Sequence, residues 1–209
     1  MDILFLCQFF YPEQNSSATL PFDTACALAK AGYPKEYTDK RYVPLRETTD
    51  GVSIHRLRYL QLDRSSKLGR LINFSSFTFR ALLHLREIGQ YRSVIVYSNP
   101  PVLPLVAWQA HKRYGTGLGF VSYDVYPEIA VATGSIGPKS PVAHVMRQVN
   151  HRVFQNARVV ALSDEMRDKL LSLRPELSED RVETIPNWAH EGRTEDVSAA
   201  RARFGFSPE

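Results

Sequence analysis

The segment Tyr123-Asp124-Val125-Tyr126-Pro127-Glu128 places two carboxylates and two tyrosines at the end of an apolar run. An acid at a strand terminus can orient or deprotonate a hydroxyl, more effectively where burial raises its pKa. The same residue types also build an ordinary turn, and the segment fits both readings. Four other polar stretches follow apolar runs in the same way. Gln8 to Ala18 (Gln-Phe-Phe-Tyr-Pro-Glu-Gln-Asn-Ser-Ser-Ala) enters a helix whose N–H groups and dipole could receive a phosphate, with Ser16 or Ser17 as cap, phosphate contact or both. In Ser98-Asn99-Pro100-Pro101 the prolines end the strand, and Asn99 is either a loop residue or within reach of a cleft. Ile185-Pro186-Asn187-Trp188 is a rigid exit, whereas Leu162-Ser163-Asp164-Glu165 reads as a capped helix start. There is no GxGxxG and no GxxxxGK[ST], which argues against a dinucleotide or P-loop site. Cys7 and Cys26 belong to no CxxC or Cys/His cluster, so neither a disulfide framework nor a metal is expected.

The elements that must position these residues alternate. Strands are expected at Asp2–Cys7, Val52–Leu57, Ser93–Tyr97, Leu118–Tyr123, Arg158–Leu162 and Val182–Ile185. Helices are expected near Ala18–Ala31, Leu68–Ile88, Leu103–Tyr114, Pro141–Gln155 and Asp164–Leu173, with Gly32 closing the first and Ser163 capping the last. Alternation of this kind predicts an α/β, Rossmann-like, doubly wound parallel sheet, and near-continuous apolar strands fit one covered on both faces. Ligands of such sheets bind beyond the carboxyl ends of the strands, where the polar loops above fall. After Gly32 a second strand should return, yet Tyr33 to Arg41 is polar and lacks apolar alternation. Either that strand is lost or residues are missing between Tyr33 and Pro34; a Cα separation of about 3.8 Å there would mark a continuous chain.

At 209 residues, 44% hydrophobic and 23% charged, the sequence is that of an ordinary globular protein with one large domain and a short extension. Residues 1–186 form the expected domain; 187–209, charge-rich and with one short helical candidate, reads as a linker and the lead-in to a further domain. The opening apolar run is too short and lacks the basic flank of a signal peptide, and no window approaches the roughly 20 apolar residues of a membrane span. Between Lys40 and Arg92, 11 Lys/Arg face 4 Asp/Glu, a net of +7 against +4 for the whole chain. That imbalance predicts an anionic partner. Arg64, Lys67 and Arg70 interleave with Phe74, Phe77 and neighbouring leucines, the profile of a helix touching an anionic membrane, although sheet packing accounts for many of the apolar positions. No nucleic-acid motif accompanies the charge. The expected location is the cytoplasm, with the inner face of the cytoplasmic membrane as a docking surface.

Taken in order, Gln8 to Glu13, Asp50 to Arg56, Ser98 to Pro101, Tyr123 to Glu128 and Ile185 to Trp188 resemble glycosyltransferase family 4. The likeness is to its bacterial branch of colanic acid, O-antigen and capsule enzymes, such as fucosamine transferases. The resemblance implies the N-terminal half of a GT-B fold, which binds the acceptor across a cleft from a domain that holds the nucleotide sugar. It further implies a retaining hexosyltransferase whose donor phosphate helps deprotonate an acceptor that is often a lipid-linked saccharide, with no metal or other cofactor, and a fragment inactive alone. Asp124 falls on the family's acidic cleft position and would position the acceptor hydroxyl or stabilise charge, without forming a covalent glycosyl intermediate. Tyr11, Glu13, Ser16, Ser17, Ser98, Asn99, Tyr126, Glu128 and Asn187 would line the acceptor side. Ser16-Ser17 stands where relatives carry Gly-Gly, so the close backbone approach that glycine permits is not available. Alternatives from other classes are a non-catalytic α/β module that binds phosphate or protein, and a GT-B sugar-nucleotide epimerase.

Overall fold

Apolar runs that alternate with helices pair in parallel, because each crossover helix returns the chain to the same edge of the sheet. In a computed structural model, which describes residues 3–8, 16–29, 45–49, 51–63 and 65–187, five such runs form one sheet. They are β1 (Ile3–Leu6), β4 (Ser93–Tyr97), β5 (Gly117–Ser122), β6 (Arg158–Ala161) and β7 (Val182–Thr184), side by side in that order and all parallel. Tyr33 and Pro34, Gly32 and the whole of 30–44 lie outside the described residues, and so does any strand beyond β1.

The helices are α1 (Ser16–Ala29), α2 (Lys67–Leu83), α3 (Leu85–Ile88), α4 (Pro104–Tyr114), α5 (Glu128–Ala132), α6 (Pro141–Phe154) and α7 (Asp164–Leu173). Their ends follow local chemistry. Ser163 and Ser140 accept hydrogen bonds from Met166 N and Ala143 N, both at 3.2 Å, as N-cap serines do. Pro104 and Pro141 occupy first turns, where their missing N–H is not needed, and Gly115 closes α4 at φ 72.

Steps from β4 to β7 all run one way, so right-handed crossovers put α4, α6 and α7 on one face. The core forms there: Val94, Val96, Phe120, Val159 and Ala161 meet Leu103, Val106 and Ala110 of α4, Val149, Val153 and Phe154 of α6, and Leu170 of α7. Phe120 and Phe154 pack edge to face at 5.3 Å. The alternate strand residues point the other way, toward α1. Phe5, Ile95, Val121 and Val160 there line an open groove of about 340 Å3, with Thr24 of α1 on its rim. Helices thus lie on both faces, and the fold is the Rossmann-like α/β expected for the N-terminal half of a GT-B enzyme. Among the described residues, however, the second face is covered less completely than near-continuous apolar strands suggest.

Two expected elements take another form, and β2 (Arg46–Thr49) and α5 are additional to those expected. The strand expected at Val52–Leu57 is β3 (Val52–His55) and does not enter the main sheet; it pairs antiparallel with β2 (Arg46–Thr49). Only Ile54 of β3 is buried, against Phe22 and Cys26 of α1, so one apolar anchor with polar neighbours makes a half-exposed hairpin. Gly51, at φ 77, supplies the turn. The single helix expected at Leu68–Ile88 is broken at His84, whose φ −98 and ψ 14 leave the helical region and separate α2 from α3.

Candidate functional site

Strand β5 ends at Ser122, and the chain turns there into the carboxylate-rich loop. Two buried serines hold that turn. Ser98, immediately after β4 and 3% exposed, accepts hydrogen bonds from the backbone N–H of Tyr123 at 3.0 Å and of Asp124 at 3.1 Å. Ser122, 1% exposed, donates to the Asp124 carbonyl at 3.3 Å. The Asp124 backbone is therefore tied to both strands while its side chain stays half-buried at their carboxyl ends. Burial pushes the Asp124 carboxyl above its ordinary pKa.

Three tyrosines stand at the same strand ends. The Tyr97 and Tyr123 rings lie 5.3 Å apart, and burial, with Cys7 nearby, pushes the Tyr123 hydroxyl up to about 12. Tyr97 is raised further, again mainly by burial. Tyr126 is raised by burial and by the charge of Asp124, and lowered by Arg70. Both hydroxyls above remain protonated at neutral pH and can donate hydrogen bonds. Arg70 lies close enough to Tyr126 to act on its hydroxyl, which places the start of α2 beside this loop. Lys67 Nζ, in the same turn, donates to the Gly134 carbonyl at 3.4 Å.

Beyond Asp124 the loop is clamped from below. Arg174, just past α7, grips Glu128 bidentately: Nη1 donates to Oε1 at 3.1 Å and Nη2 to Oε2 at 2.6 Å. The same Nη2 donates to the Tyr126 carbonyl at 2.9 Å, which also accepts from Asn150 Nδ2 at 2.6 Å. Arg174 is 7% exposed and Asn150 6% exposed, and the guanidinium lies 5.7 Å from the Phe154 ring centroid.

The expected site residues divide accordingly. Ser98, Asn99, Asp124 and Tyr126 come together at the carboxyl ends of β4 and β5, where the sheet rule places a ligand. Ser98 faces the backbone, so its hydroxyl shapes the loop from within. Asn99 is half-buried and its Oδ1 has no hydrogen-bond partner among the described residues. Glu128 turns away from the cleft into Arg174. Asn187 is exposed and lines the groove with Tyr97 and Tyr123. Tyr11, Glu13 and Arg64 lie outside the described residues; Ser16 and Ser17 open α1, their side chains likewise outside. Among the membrane-facing candidates, Lys67 and Arg70 are exposed and Phe74 is half-buried. Phe77 is corrected: it is 5% exposed and packs against Tyr59 at 5.3 Å, because it shares the core-facing side of α2 with Asn73 and Ala81.

Sequence reasoning missed Arg174 and Asn150. Asn150 carried a signal, a polar residue one helical turn from Met146 and Val153 on the apolar stripe of α6. Arg174, between a leucine and a proline, carried none. Among the described residues no group of three or more His, Cys, Asp or Glu could hold a metal ion.

A glycosyl transferase 4-like domain matches residues 22–188, and the chain belongs to that family. Its function is of the glycosyltransferase type, which entails binding sugar substrates in general. No curated protein matches the sequence significantly.

Proposed function

We propose that the chain is the acceptor-binding half of a retaining glycosyltransferase that moves a sugar from a nucleotide sugar to a lipid-linked or other saccharide during exopolysaccharide, O-antigen or capsule synthesis. The observation that carries this reading is Asp124: a half-buried carboxylate with raised pKa, fixed by two buried serines at the carboxyl edge of β5 in a glycosyltransferase 4-like domain. In this reading Asp124 orients the acceptor hydroxyl, Tyr126 and Asn99 contact the saccharide, and residues 187–209 lead to a second domain that holds most of the donor. No metal or organic cofactor takes part. A calorimetric titration of the 209-residue chain with UDP-N-acetylglucosamine and GDP-mannose tests the division of labour. Binding no tighter than millimolar is expected, and micromolar donor binding by this chain alone would overturn the acceptor-half reading.

A second reading, docking on an anionic membrane, rests on the surface of α2. The helix has no acidic residue, and Leu68, Leu71, Phe79 and Leu83 are exposed along it beside Lys67, Arg70 and Arg80. Leu60 and Leu62 extend that surface from an adjoining strap, which Asn73 pins by bonds of 2.8 and 2.9 Å to the backbone of Leu62. An apolar stripe on a helix that carries cations and no acid suits an interface with anionic headgroups. Among the described residues no helix is long and apolar enough to cross a membrane. Co-sedimentation with phosphatidylglycerol vesicles is expected to exceed that with phosphatidylcholine at least fivefold, and to fall when Leu68 and Phe79 become serine. Equal sedimentation with both lipids would exclude this surface as an anionic dock.

A further inference from the structure

We propose that Arg174 and Asn150 are positioning residues for Asp124, acting by clamping the loop from Tyr126 to Glu128. The proposal rests on the assignment of Asp124 to the acceptor site made above.

The loop leaves β5 with its first two N–H groups bonded to Ser98, but nothing in β4 or β5 restrains the chain beyond Asp124. Restraint there comes from α6 and the end of α7. The Tyr126 carbonyl, two residues past Asp124, receives Arg174 and Asn150 together, at 2.9 and 2.6 Å. The Glu128 carboxylate receives the rest of the same guanidinium. A planar fork fixes direction as well as distance, which a single lysine contact would not do. Arg174 cannot drift, being buried against Phe154 and donating also to its neighbour's carbonyl, Leu173 O, at 3.1 Å. Asp124 thus sits between two anchors, Ser98 on one side and the Arg174–Asn150 pair on the other. Neither clamp residue reaches the cleft surface, so their effect on a bound saccharide passes through the loop.

Burying a cation and an amide beneath a surface loop costs desolvation that apolar residues would avoid. Holding Asp124 and Tyr126 to a fixed geometry is what the arrangement returns, since small misplacements of a reacting group cost large factors in rate.

Amide hydrogen exchange on the 209-residue chain tests the clamp without needing a substrate. In Arg174→Gln, the Tyr123 and Asp124 amides are expected to exchange at least tenfold faster than in the parent, with Arg174→Lys restoring part of the protection. Val153→Ala is the control: chosen to lower global stability comparably, it should leave these two amides protected relative to the rest of the core. Should Arg174→Gln leave both amides unchanged, or should Val153→Ala expose them equally, the positioning role is overturned. In an enzyme carrying both domains, the same Arg174→Gln is expected to lower kcat at least tenfold while donor KM stays within twofold; a change confined to KM would also overturn it. If that parent enzyme transfers no sugar, the acceptor-site reading fails, while the exchange measurement still decides the clamp.

Discussion

Replacing Asp124 by asparagine in an enzyme carrying both domains is expected to lower sugar transfer by about 10²–10⁴-fold, the span attributed to a positioned acid or base. Asparagine keeps the size and the backbone ties to Ser98 and Ser122, so the loss reports the carboxylate itself. The same change is expected to raise stability at neutral pH. Burial lifts the folded-state pKa of Asp124 above its unfolded value, which means that the folded protein holds the proton more tightly than the unfolded chain does. Stability from this group is therefore fully present below the unfolded pKa and is lost as pH rises through the folded pKa. Asp124→Asn removes that loss, so its Tm should exceed the parent's at pH 7 and match it near pH 3, in keeping with the usual trade of stability for activity. Thermal unfolding at the two pH values and an assay of transfer check both halves. Near-normal turnover, or a lower Tm at pH 7, would remove Asp124 from the catalytic set. The acid limb of the activity profile should likewise fall at a higher pH than an ordinary aspartate would give.

Glu128→Ala is expected to cost about 2 kcal/mol of stability, lowering Tm by about 4–8 °C for a chain of this length. The reason is the partner left behind. Arg174 has a side chain only 9% exposed, and without Glu128 its fork keeps just two backbone carbonyls. Breaking a fully buried pair costs more, 3–5 kcal/mol; Glu128 is 32% exposed, so water moderates the loss. Pairing the change with Arg174→Met should recover much of the stability, because the uncompensated cation is then gone. Urea denaturation of the two single variants and the double variant gives the coupling. A Glu128→Ala loss under 0.5 kcal/mol, on the order of a surface substitution, would return Glu128 to the cleft-facing role that its place in the motif suggests.

Much of the architecture was legible in the residues. The β-branched runs Ser-Val-Ile-Val-Tyr and Arg-Val-Val-Ala form strands where expected, since no helix packs such runs as well as a sheet does. Ser140-Pro141 and Ser163-Asp164-Glu165 fix helix starts by chemistry confined to four or five residues. The hairpin of β2 and β3 was harder: Arg46-Glu47-Thr48-Thr49 has no apolar face, and only the Asp50-Gly51 turn advertised it.

The candidate site divides along the same line. Short-range information was enough to bring Asp124, Tyr126 and Asn99 to strand ends, because the carboxyl edge of a parallel sheet follows from strand order alone. Which side chains face the cleft did not follow. Ser98 and Glu128 both belong to proline-containing loops after strands, yet one is spent on backbone N–H groups and the other on a guanidinium 46 positions away. Phe77 and Phe79 differ by two residues on one helix, one buried and one 61% exposed. The sequence by itself determined the five strands of the main sheet, the longer helices near them and the loops at the sheet's carboxyl edge, since these depend on periodicity and capping within a few residues. Tertiary structure alone decided the clamp on Tyr126 and Glu128 and the direction each side chain faces. Those depend on contacts between segments far apart in the chain, whose geometry no local pattern encodes.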